Sequence, residues 1–140
     1  MNPELHIRIC GVILLILAAS HVAFPRFFNW REELSRLSLL NRQIFLVHTL
    51  FIGLLLVLLG LLSLFGAPLL TIPSPLATVL LIGIALFWLT RLAVQLFVYS
   101  PRLWRGIPSR TAIHWVFCLI WTYLSASYGT AAFLQAMNWI

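Results

Sequence analysis

Three histidines, one arginine and one glutamine carry most of the chemistry open to this 140-residue chain. His21 precedes Pro25 by four residues, His48 follows Arg42 by six, and His114 follows Arg110 by four. Gln95 stands six before Pro101, with Arg91 one helical turn earlier. Three neutral imidazoles on one centre with an open position are the arrangement that activates water on zinc, so His21, His48 and His114 are candidate metal ligands. Two histidines from opposite helices could instead hold a haem iron, with Arg91 or Arg42 meeting its propionates. A quinone headgroup is a third candidate. Its carbonyls would accept hydrogen bonds from His48, His114, Gln95 or Arg91, and Trp88, Trp115 or Trp121 would pack against its ring. Spacing does not choose among these, because the sequence has no HxxxH, HxxEH or CxxC motif. No catalytic residue is nominated, and whether the protein is an enzyme stays open.

Arg91 is the most informative of these positions. It lies among Leu, Ile, Val, Ala, Phe and Trp, where a charge costs roughly 2.5–3.5 kcal/mol on insertion scales and normally has a partner. The acidic side chains are Glu4, Glu32 and Glu33, all outside the apolar segments. The guanidinium must therefore be met by backbone carbonyls, a loop glutamate folded inward, water or an anionic ligand.

The elements that position these groups follow from composition. With 62% hydrophobic and 9% charged residues, the chain is far more apolar than soluble domains, in which about a quarter of residues are charged. Four runs, 5–24, 42–65, 76–100 and 111–136, are each long enough for the ~20-residue helix that crosses a bilayer. Short connections favour an all-α, up-down four-helix bundle forming a single membrane domain. Pro25 should stop the first span, since proline lacks an amide donor. A short interfacial helix over about residues 30–38 follows, with Asn29 and Glu32 at capping-box spacing, Trp30 at headgroup level, and Trp30, Leu34 and Leu37 on one face. The second span begins around Asn41 to Gln43, and Gly53 and Gly60 could allow close helix approach. Prolines 68, 73 and 75 make the next loop a tight apolar turn.

All nine cationic residues are arginine. Arg26, Arg31, Arg36 and Arg42 join spans one and two, and Arg102, Arg105 and Arg110 join three and four, while residues 66–75 carry no charge. This pattern places both Arg-rich loops in the cytoplasm and both termini outside, with Arg8 alone opposing it. Because the charge follows topology, the high pI does not imply a nucleic-acid partner. The N-terminal stretch imitates a secretory signal but reads as an uncleaved first span. Cys10 and Cys118 fall toward opposite membrane faces and should not form a disulfide.

This topology brings the polar groups to one level. At 1.5 Å per residue, His21, His48, His114 and Gln95 each lie roughly 6–10 Å from the Arg-rich end of their spans. Helical spacing aligns Trp88, Arg91, Gln95 and Tyr99 on one stripe, and His114, Cys118, Trp121, Ser125 and Tyr128 on another. Span one aligns His6, Cys10, Ile13, Leu17 and His21, and span two aligns Asn41, Phe45, His48 and Ile52. Four such stripes point to an enclosed site. His6 should lie apart at the outer surface, and Trp104, Trp115, Tyr128 and Trp139 should be interface anchors.

The segment Arg8 to Phe28, RICGVILLILAASHVAFPRFF, resembles the first helix of DoxX-like proteins, small four-helix bacterial membrane proteins in which a glycine and small residues precede a Pro-x-x-Phe ending. The resemblance covers about a seventh of the chain and does not extend to NRQIFLVH at 41–48 or to Arg91 and Gln95. It implies a multi-pass protein of the bacterial inner membrane, a membrane partner in a quinone-linked redox system. The expectation is thus a His/Arg/Gln site in the cytoplasmic leaflet that binds a redox cofactor, metal or quinone-like ligand. Two other classes compete: a non-catalytic accessory subunit contacting lipid, a partner subunit or another copy of itself, and a small-solute or proton pathway.

Overall fold

The computed structural model describes residues 2–137, and their regular structure is helical, with no strand among the described residues. The helices are α1 (Pro3–Phe27), α2 (Trp30–Glu33), α3 (Leu39–Phe65), α4 (Ala67–Thr71), α5 (Pro75–Phe97) and α6 (Pro108–Met137). Four of them, α1, α3, α5 and α6, are long and apolar enough to cross a membrane.

Small polar residues start these helices where the sequence leaves amides without acceptors. The Asn2 side chain accepts from the Leu5 amide at 3.3 Å, Ser38 from Asn41 at 3.3 Å and Ser74 from Ala77 at 3.1 Å. Each such cap contributes about 1 kcal/mol. Ser38 moves the start of α3 to Leu39, ahead of the expected Asn41 to Gln43.

Pro25 does not end α1. Proline forfeits one hydrogen bond, but the ladder resumes with Phe28 donating to the Phe24 carbonyl at 2.9 Å. The turn comes at Asn29, whose left-handed backbone (φ 49°, ψ 43°) no helix can continue. In that conformation the expected capping box does not form. The Asn29 side-chain Nδ2 donates instead to the Glu32 carboxylate at 2.7 Å. The interfacial element consists of α2 and a 3-10 turn at Leu34–Arg36, so it ends two residues short of the expected 38. Leu34 is its buried residue, and the Trp30 ring meets Phe45 edge-on at 4.9 Å.

The chain divides into two compact units, residues 7–67 and residues 1–6 with 68–140. In the first, α1 and α3 approach through glycine. A Cβ on Gly11 would fall 2.6 Å from the Leu64 nitrogen and 2.8 Å from the Gly60 carbonyl oxygen, and one on Gly60 would meet Leu15 at 2.9 Å. Such contact needs residues without side chains, the usual device of membrane helix pairs. Arg8 adds a hydrogen bond to the Leu64 carbonyl at 2.9 Å.

The second unit is built on α5 and α6. Its buried positions include Ala77, Leu81, Ile84, Trp88 and Gln95 on α5, and His114, Cys118, Trp121, Leu124, Tyr128, Ala132 and Gln135 on α6. Steps of three and four repeat along both helices, the seam along which helices pack nearly antiparallel with interleaved side chains. Polar residues occur at both ends of this seam, Gln135 at one and Gln95 with His114 at the other. Gln135 donates to the Leu70 and Ile72 carbonyls and accepts from the Thr78 hydroxyl at 3.0 Å. The expected tight apolar turn thus contains a helical turn, α4, whose last carbonyls are held by a buried side chain of α6.

Candidate functional site

At the Arg-rich end of the α5–α6 pair, one short chain of hydrogen bonds settles several atom assignments. Arg91 has only donors, so the Gln95 oxygen faces it, at 3.2 Å from Nη1. That orientation turns the Gln95 amide nitrogen toward His114 Nδ1 at 3.0 Å. Nδ1 must then accept, and the ring proton resides on Nε2. Nε2 faces Cys118 Sγ at 3.7 Å, one helical turn on, where sulfur is a weak acceptor. Gln95 and His114 are both buried. Neither ring nitrogen of His114 is left with a free lone pair.

Arg91 is met in a way the sequence did not suggest. Its described partners are neutral: the Gln95 oxygen, the face of Trp121 at 4.9 Å and the face of Tyr99 at 5.6 Å. A cation over an aromatic face gains from about 0.5–1 kcal/mol at exposed sites to about 2 kcal/mol when desolvated. Glu32, one of the loop glutamates that could have folded inward, is engaged by Asn29 and lies 3.7 Å from Arg36, with both partners of that pair well exposed.

Trp88 and Trp121 stack on each other with centroids 5.2 Å apart and planes 3° from parallel. The faces expected to hold a ligand ring are therefore occupied by each other, and their edges remain. Both indoles are buried, at 2% and 5% exposure, yet neither N–H has a hydrogen-bond partner. Trp104 forms a third such case. It lies flat on His114 with centroids 4.3 Å apart, and its own N–H is buried and unmatched. The Thr111 hydroxyl donates to the Trp104 carbonyl at 2.7 Å and holds the loop in that position. A buried donor without an acceptor costs about 1–3 kcal/mol. Three of them beside an arginine with spare N–H groups make this end of the pair rich in donors and poor in acceptors.

The remaining site residues, His21 and His48, belong to the other unit. His21 is half-buried in the first unit and donates from Nδ1 to the Leu17 carbonyl of its own helix at 2.8 Å, which leaves its Nε2 as an acceptor. His48 is exposed, as are Asn41, Phe45 and Ile52, so the stripe expected to face inward on α3 lies on its surface. The buried positions of α3 are Leu56, Gly60 and Ser63. Among the described residues no group of three or more His, Cys, Asp or Glu side chains is gathered as a metal ion would require.

Several contacts were missed at the sequence level. His6 does not stand apart: it is half-buried, and its Nδ1 lies 2.9 Å from the Tyr123 hydroxyl near the middle of α6. Trp104 and Tyr128, expected as interface anchors, are a cover on His114 and a fully buried core residue. Trp115 is 55% exposed, and Trp139 lies outside the described residues. Cys10 and Cys118 are both buried, and no disulfide joins them.

Comparison of the chain with protein-family models, with curated proteins and with solved structures finds no match to any of them.

Proposed function

We propose that this chain is a four-span bacterial inner-membrane protein, packed as an up-down bundle with both termini outside, whose α5–α6 site binds a quinone-like amphiphile in the cytoplasmic leaflet. The observation that carries the proposal is the imbalance at that site. The guanidinium of Arg91 has neutral partners, and the buried N–H groups of Trp88, Trp104 and Trp121 have none. A headgroup bearing carbonyl oxygens supplies what these donors lack. A metal or haem iron needs lone pairs, and His114 has committed both of its nitrogens. The distribution of arginine supports the orientation.

The test is retention. Protein purified in mild detergent carries an organic-extractable quinone and shows no Soret band and no stoichiometric iron, zinc or copper. Arg91→Leu still inserts but loses the quinone. Full retention in Arg91→Leu, or a haem spectrum in the native protein, would overturn the reading.

One observation favours a second reading, an accessory subunit. The α3 span is the least buried of the four, with 11% of its most apolar window covered, and His48 lies exposed on it. A polar side chain facing hydrocarbon is matched by a polar group on a partner helix. Co-purification of a second membrane protein that His48→Leu releases supports this reading.

A further inference from the structure

We infer that the α5–α6 site distinguishes the oxidation states of its ligand and holds the quinone in preference to the quinol. This rests on the function proposed above and adds a direction to it. The two forms share a ring and a tail, but not their hydrogen bonding. A quinone oxygen only accepts, whereas each quinol hydroxyl carries a proton that must be donated somewhere.

The strongest side-chain acceptors at this end of the pair are already engaged. The Gln95 oxygen accepts a hydrogen bond from Arg91, and His114 Nδ1 accepts one from Gln95. The Nε2 of His114 carries its own hydrogen and points it at Cys118. Backbone carbonyls inside the helices accept in their own ladders, and the hydroxyls of Thr122 and Ser125 donate to carbonyls of their own helix at 2.8 and 2.7 Å. What remains on the acceptor side is the second lone pair of such hydroxyls, that of Tyr99, and the carbonyls of Gln95, Leu96 and Phe97 at the C-terminal end of α5. On the donor side stand the spare N–H groups of Arg91 and the unmatched N–H groups of Trp88 and Trp121. A quinone carbonyl placed against this edge satisfies buried donors. A quinol hydroxyl placed there presents a further donor to a surface already in excess.

The lock is Gln95. Because Arg91 fixes which way its amide points, Gln95 presents N–H to His114 and consumes the acceptor nitrogen of that ring. Removing Gln95 releases His114 Nδ1 as a lone pair that a quinol hydroxyl can use. Selectivity therefore resides in a side chain that need not touch the ligand, a positioning residue.

The experiment measures equilibrium binding of a decyl-substituted benzoquinone and of its quinol, kept reduced under anaerobic conditions, to the purified full-length protein by quenching of tryptophan fluorescence. One buried hydroxyl left without an acceptor corresponds to about a tenfold difference or more. The native protein is expected to bind the quinone at least about tenfold tighter, and this measurement needs no variant. In Gln95→Leu, checked for folding by circular dichroism, the two affinities are expected to converge to within about threefold. Quinol binding as tight as or tighter than quinone binding in the native protein overturns the inference while leaving the site proposal standing. A native preference that Gln95→Leu leaves intact overturns the assignment to the locked acceptor. Failure of both forms to bind overturns the site proposal, and the inference with it.

Discussion

The two ends of the α5–α6 seam each bury a glutamine, and the two glutamines do opposite things. Gln135 closes its surroundings: its N–H groups go to the Leu70 and Ile72 carbonyls, its oxygen takes the Thr78 hydroxyl, and a loop is fastened to a helix. Gln95 links a guanidinium to an imidazole, and beside it two buried indole N–H groups remain without acceptors. A glutamine that matches every donor with an acceptor holds structure together. A glutamine set among surplus donors marks a place where something else must supply oxygen.

That contrast makes separable predictions. Arg91→Leu has the largest expected effect, at least about a tenfold loss of ligand retention, because it removes the charged donor among the unmatched N–H groups. Thermal stability in detergent stays within about 1 kcal/mol of native, since deleting a charge from an apolar span offsets the lost contacts. Gln135→Leu should show the reverse pattern. It leaves two loop carbonyls without their donor and lowers stability by about 2 kcal/mol, read as a lower midpoint on heating, with retention unchanged. If Gln135→Leu also releases the ligand, the two ends are not distinct. Trp104→Leu strips the ring that covers His114 and removes an aromatic contact of about 1 kcal/mol, giving a few-fold faster ligand release with little change in stability. The smallest effect belongs to His48→Leu, within about 0.5 kcal/mol in stability and neutral for retention, because the native ring is exposed. A large retention loss in His48→Leu would return that histidine to the binding site.

What the sequence revealed depends on how much contrast each helix carries. On α5 and α6, polar residues among apolar ones record which face is inward. The stripes Trp88, Arg91, Gln95, Tyr99 and His114, Cys118, Trp121, Ser125, Tyr128 were legible for that reason, and burial agrees along most of both, with Arg91 and Ser125 half-buried and Tyr99, at the end of its stripe, exposed. The α3 helix is nearly uniform in Leu, Ile, Val and Phe, and the polar residues from which its facing was read, Asn41 and His48, lie on its exposed side, whereas Ser63 is buried. Uniform apolarity shows that a helix can span but not which way it turns. Glycine gave the better cue, since Gly60 lies on the buried side where its backbone meets Gly11. Partners far apart in sequence were out of reach of spacing arguments altogether. Nothing local ties His6 to Tyr123, or Trp104 to His114, where nine intervening residues fold a loop back onto a helix. The end of α1 was misplaced because proline breaks one hydrogen bond, while a left-handed residue breaks the helix.

The central claim is that Arg91 keeps its charge among neutral groups and waits for an oxygen that does not come from the protein. A density map of the native protein in a lipid nanodisc, at a resolution that shows side chains, tests it most directly. The account predicts non-protein density within hydrogen-bond reach of the Arg91 guanidinium and along the N–H edges of Trp88 and Trp121. A carboxylate from Glu32 or Glu33 seated on that guanidinium, with no other density there, would contradict it.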